Sequence, residues 1–102
     1  MPAKIVVETV PDQQTETRLM PMYRVLIHND DVTPMDFVVH VLRTIFSLGW
    51  LRAHKVMLEA HVSGVAHVVT EPLERAEFHV EQARSISRGR GWPLTFTFEP
   101  EG

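Results

Sequence analysis

The apolar run Met22-Tyr23-Arg24-Val25-Leu26-Ile27 breaks off into His28-Asn29-Asp30-Asp31-Val32-Thr33-Pro34-Met35, and no other stretch constrains the chain as tightly. Upstream of the break the residues are β-rich and mostly apolar, which suits a strand covered by helices on at least one face. Downstream, Met35, Val38, Val39, Leu42, Ile45 and Phe46 follow the i, i+3, i+4, i+7 spacing of an amphipathic helix. A strand must therefore become a helix within a few residues. Thr33 is placed to cap that helix, Pro34 suits its first position because its φ is preset, and Asp36 completes a capping-box-like spacing. On local grounds Asn29, Asp30 and Asp31 form a solvated turn, because these residue types favour turns and helix starts.

The rest of the chain alternates in the same way. Gly49 is placed to end the first helix, and a second covers about Leu51 to Val62, with Ala53, Val56, Met57 and Ala60 inward and Gly64 as its stop. Met57 and His61 share a face of it, four residues apart. Val65 to Thr70 reads as a strand, Glu71-Pro72 as a turn, and Leu73 to Ser87 as a third helix packed through Ala76, Val80 and Ala83. Arg88-Gly89-Arg90-Gly91 follows as a loop, and Leu94-Thr95-Phe96-Thr97-Phe98 alternates with the period of a half-buried strand. The order β-α-α-β-α-β predicts an α+β fold, a small three-stranded, largely antiparallel sheet packed on three helices. Residues 1–20 sustain no period and only Ile5-Val6-Val7 could form a β segment, so 1–20 is expected to be a flexible N-terminal extension and 21–102 the folded domain.

Composition removes several classes of function. A net charge of −3 leaves no basic footprint for nucleic acid, although Arg84, Arg88 and Arg90 cluster locally. Without cysteine there is no thiolate nucleophile and no Cys-based zinc site. No apolar run approaches the roughly 18 residues of a membrane span, so a cytoplasmic protein is the expectation. The six histidines show no metal-binding spacing, and no Gly-x-Ser-x-Gly or phosphate-binding loop occurs. Asp30, Asp31 and His61 could in principle form a metal cage or an acid–base pair, but nothing else supports catalysis, and neither enzyme activity nor a cofactor is expected.

Recognition remains. If the start of the first helix meets the end of the second, Asn29, Asp31 and His61 converge, offering a carboxylate, an amide oxygen and an imidazole nitrogen. Such a set suits an ammonium group. Thr33, Met35, Val38 and Met57 would lie beside it, where flexible thioethers can adapt to an apolar side chain, or they are ordinary core.

Tyr23-Arg-Val-Leu-Ile-His-Asn-Asp-Asp, Thr33-Pro-Met-Asp-Phe-Val38, Met57-Leu58 with His61 and Gly64, Ala76-Glu77 and Pro93-Leu94 together resemble the ClpS adaptor family, over about Tyr23 to Glu99. The resemblance implies a monomeric adaptor that binds proteins by a free N-terminal Leu, Phe, Tyr or Trp, an N-degron, and delivers them to an AAA+ Clp unfoldase of the ClpA or ClpC type. It implies that Asn29, Asp31 and His61, with Asp30 beside them, hold the substrate α-amino group. Thr33, Met35, Val38, Met57, Ala60 and Leu94 match the side-chain pocket, Met35 matching the residue that screens out β-branched first residues. Glu74 and His79 match the unfoldase-docking face, and the N-terminal tail matches an extension that engages the unfoldase. Val32 stands where an aromatic is common and Ala60 where a larger aliphatic is usual, which predicts a wider pocket; His79 replaces a Lys. The alternative is a protein-interaction module of the same fold, like the C-terminal domain of a ribosomal stalk protein, without an amine cage.

Overall fold

The computed structural model describes residues 3–9 and 15–102. Its elements are β1 (Ala3–Thr9), β2 (Thr15–His28), α1 (Met35–Thr44), α2 (Trp50–Ser63), β3 (Val65–Pro72), α3 (Leu73–Gly89) and β4 (Thr95–Pro100). β2 is the centre of the sheet. Its second half, from Met22 or Tyr23 to His28, pairs antiparallel with β3 on one side and with β4 on the other. The α+β class and the order of the core elements are as the residue pattern predicts, and every strand pairing is antiparallel.

The sheet has four strands rather than three. The first half of β2 pairs with β1 in a register running from Ala3 opposite Pro21 to Thr9 opposite Thr15. The β-branched residues of Ile5-Val6-Val7 and of Thr15 and Thr17 suit such a ladder. Backbone pairing does not require the apolar period by which the other strands were recognisable. Residues 1, 2 and 10–14 of the expected extension lie outside the described residues.

One face of the sheet is covered. Ile27 of β2 lies opposite Ala66 of β3 and Phe96 of β4, and all three are buried. Val25 and Val68 extend that layer, where β3 bulges opposite the Val25–Leu26 step. The helices complete the core with Val41, Leu42 and Phe46 of the α1 region, Ala53 and Val56 of α2, and Ala76 and Ala83 of α3. The other face is polar: His28 Nε2 lies 2.7 Å from Thr97 Oγ1, and Arg24 meets Glu99 at 3.5 Å.

α1 is rotated and shortened relative to the sequence reading. Its fully packed positions are Phe37, Val38, Val41 and Leu42, whereas Met35 is 45% exposed. The helix ends at Thr44, not Gly49, because Ser47 adopts a left-handed φ of 58° and the Leu48 N–H turns back to the Leu42 carbonyl at 3.1 Å. Gly49 instead begins α2, its carbonyl accepting the Ala53 N–H. α3 continues through Gly89, two residues past its expected end. None of the helices among the described residues is long and apolar enough to cross a membrane.

Gly64 ends α2 as expected, with a φ of 89° and its N–H bonded to the Ala60 carbonyl at 2.8 Å. Its space is open, so an added methyl would suffer from the backbone angle alone. Gly64→Ala is expected to lower the unfolding free energy by about 1–2 kcal/mol, the cost of a left-handed non-glycine residue. Gly89→Ala, at an open position inside α3, is expected to raise it by about 0.4–1 kcal/mol. Urea denaturation of the two variants checks the opposite signs.

Candidate functional site

The loop between β2 and α1 is shaped by one carboxylate. Asp30 Oδ1 accepts the N–H groups of Val32 at 2.8 Å and Thr33 at 2.6 Å, while Oδ2 accepts the Thr33 hydroxyl at 2.9 Å. Asp30 thus folds the loop around itself, the local bonding that Asp offers at turns. Thr33 therefore does not cap α1. Pro34 occupies the cap position without a side-chain bond, and Asp36 accepts the neighbouring Phe37 N–H at 2.9 Å instead of reaching back. Asp is one methylene shorter than the Glu of a capping box, and the Thr33 hydroxyl is already engaged.

Partial burial opposes ionisation of Asp30. The Thr33 and Val32 N–H groups, the Thr33 hydroxyl and the field of the Arg88 guanidinium outweigh it, and the carboxyl is held below the ordinary aspartate pKa.

A second contact sets where the loop lies. The Asn29 N–H donates to the Gly64 carbonyl at 2.9 Å, tying the start of the loop to the end of α2. His61 stands in the last turn of that helix. Asn29, Asp31 and His61 are all solvent-exposed, and none of their side chains has a hydrogen-bond partner among the described residues. Together they present an amide, a carboxylate and an imidazole with acceptor capacity to spare.

These groups line a cavity of about 200 Å³. Its walls include all ten of Asn29, Asp30, Asp31, Thr33, Met35, Val38, Met57, Ala60, His61 and Leu94. Val38, Met57, Ala60 and Leu94 are buried and belong to the core cluster as well. Ile27 and His28 also contribute to the lining and were not anticipated. Ile27 reads as plain strand core, and only its adjacency to Asn29 could have marked it.

Glu74 and His79 lie elsewhere, on α3. Glu74 is exposed in the first turn. The His79 Nδ1 is 2.8 Å from a carboxylate oxygen of nearly buried Glu71, and its ring meets Phe46 edge-on with centroids 5.6 Å apart.

The chain matches, over residues 18–97, the family described as ATP-dependent Clp protease adaptor protein ClpS. It belongs to the ClpS adaptor family. It is 45% identical over 95 residues to the ATP-dependent Clp protease adapter protein ClpS of Gloeobacter violaceus, covering 92% of this chain and 96% of that one. The ClpS of Roseobacter denitrificans is 44% identical over 86 residues, 84% of this chain and 76% of the relative. The solved structure of Agrobacterium tumefaciens ClpS2 bound to L-phenylalaninamide superposes with a TM-score of 0.77 at 38% identity, covering 79% of this chain and 98% of that one. The fold and the adaptor role in Clp proteolysis are therefore those of ClpS.

The hydrogen bonds around Asp30 have a pH signature. Because its folded-state pKa is depressed, their contribution is complete above the unfolded value of about 3.9 and disappears as pH falls through the folded-state value. Asp30→Ala is expected to cost about 1–3 kcal/mol near neutral pH. The gap from the parent protein should narrow as acid protonates Asp30, and urea denaturation of both proteins between about pH 6 and pH 2 checks this.

Proposed function

We propose that this adaptor captures proteins by a free N-terminal residue with a large hydrophobic side chain, Leu, Phe, Tyr or Trp, and delivers them to an AAA+ Clp unfoldase of the ClpA or ClpC type. The observation that carries this reading is a single cavity in which three uncommitted acceptors, Asn29, Asp31 and His61, adjoin a lining of Met35, Val38, Met57, Ala60 and Leu94. An N-terminal amino acid presents the complementary pair of groups, an ammonium beside an apolar side chain. L-phenylalaninamide, the ligand of the Agrobacterium ClpS2 structure, is such a molecule.

The carboxylates divide the work. Both oxygens of Asp30 are turned into its own loop, so Asp30 holds the frame and Asp31 supplies the negative charge. An α-ammonium donates three hydrogen bonds, and charge-assisted bonds contribute about 1.5–3 kcal/mol each. Burying one large apolar side chain adds roughly 1.5–3 kcal/mol. Set against the cost of association, these terms are compatible with affinities around micromolar. An internal residue gains neither: its amide carries no positive charge, and the chain before it would collide with the cage. Binding and delivery break no bond in the adaptor and call for no cofactor.

Cavity size supports large first residues. A cavity of about 150 Å³ accepts benzene, and this one is about 200 Å³. Ala60 is the smallest side chain in the wall, 3% exposed, and widens the pocket toward Phe, Tyr and Trp over Leu. Glu74 and the exposed face of α3, where Phe78 is 62% exposed, would meet the unfoldase. His79, engaged with Glu71, supports that face from behind. The segment of residues 1–20 would contact the unfoldase during hand-off.

Fluorescence anisotropy with a Phe-initiated peptide tests the reading. N-acetylation should weaken binding by about a hundredfold or more, and His61→Ala by about tenfold, the equivalent of one charge-assisted bond. Equal binding of the free and acetylated peptides would overturn it. Ala60→Val should lower affinity for Trp-initiated peptide more than for Leu-initiated peptide.

A further inference from the structure

Leu94 reaches the cavity by an unusual route. The last turn of α3 holds the buried Ser87, whose carbonyl accepts the N–H of Arg90 at 3.1 Å and of Trp92 at 2.9 Å. Gly91 turns the chain with a φ of 80°, and Trp92-Pro93-Leu94 then runs as a strap to the start of β4. The strap lies outside the ladder, and Pro93 has no N–H to anchor it. The Thr95 hydroxyl donates to the Pro93 carbonyl at 2.9 Å, and a side chain from α3 ties the strap to the helix. Nη1 of Arg88 donates to the Trp92 carbonyl and to the Leu94 carbonyl, each at 2.9 Å, so a single nitrogen bridges the carbonyls of the two residues that flank Pro93.

Arg88 does not line the cavity, yet it acts on both of its parts. Beyond holding the backbone of Leu94, its charge bears on the Asp30 carboxylate that shapes the opposite loop. We infer that Arg88 is a positioning residue for substrate selectivity: by bridging Trp92 and Leu94 it fixes the Leu94 wall against which the first side chain of the substrate packs. This rests on the amine-capture reading above. Leu94 is 2% exposed and also part of the core, so a small displacement of its backbone would deform the wall without emptying the core. The loss should therefore fall on recognition of the side chain, while recognition of the amine persists.

The test compares the parent protein, Arg88→Met and Arg88→Lys, all in a Trp50→Phe background so that Trp92 alone fluoresces. Each is titrated with Phe-initiated, Ala-initiated and N-acetylated Phe-initiated peptides. Arg88→Met, which keeps the apolar stem and loses the donors, should bind the Phe-initiated peptide about tenfold more weakly, with little change for the Ala-initiated one. Its Trp92 emission should shift to the red as the strap loosens. Arg88→Lys keeps the charge but is too short to reproduce the bridge, and its Phe-to-Ala affinity ratio should fall between the other two. It also serves if the Met variant does not fold. Folded variants that keep the parent ratio within about twofold overturn the role of Arg88 alone. A parent protein that binds free and acetylated peptides alike overturns amine capture, and the role of Arg88 with it.

Discussion

The site depends on one backbone hydrogen bond, from Asn29 N–H to the Gly64 carbonyl. It continues the β2–β3 ladder one step beyond the His28–Val65 pair, where both chains have already left the sheet. On one side begins the loop to α1; on the other ends α2. Ladder registers are set by burial: a slip of one residue would turn Val25 and Ile27 out of the core. The distance between Asn29 and His61 is thus fixed by hydrophobic packing on the helix-covered face of the sheet. Gly64 makes the junction possible, because its left-handed backbone ends the helix one turn after His61.

Around that junction polar and apolar requirements are kept apart. Asp30 satisfies two N–H groups and a hydroxyl that the sharp turn would otherwise leave unpaired. Asp31, Asn29 and His61 are exposed to solvent, so no uncompensated charge is buried there. The apolar lining comes from positions already paid for by folding, since Val38, Met57, Ala60 and Leu94 are core residues whose inner atoms pack on the sheet and helices.

Much of this was legible in the residue pattern, for reasons that differ by element. α2 is bounded by a stop glycine, and β4 alternates strictly, so both could be placed to within a residue or two. α1 was misread at both ends. Its carboxyl end is set by a left-handed Ser47, a conformation no serine announces, and its amino end by the capture of the Thr33 hydroxyl by Asp30, a contact that only the folded turn reveals. The rotation that leaves Met35 exposed follows from the same turn. The β1 pairing rests on backbone hydrogen bonds and carries little period. Ten of the residues lining the cavity are legible through the spacing of Met57 and His61 and the family resemblance, and Ile27 and His28 are not. Arg88 was seen only as part of a basic cluster, because its bonds go to carbonyls, which have no sequence signature.

The back of the cavity and the outside of the core are the same layer of atoms. Met57, Ala60 and Leu94 cannot be altered for a new ligand without altering the packing that holds the domain together, because each is less than a tenth exposed. The front is different. Met35 lines the cavity yet is 45% exposed and stands outside the core cluster. In the proposed role, selectivity has two unequal dials: a stiff one at the back, coupled to the fold, and a loose one at the mouth that can turn while the fold stays still.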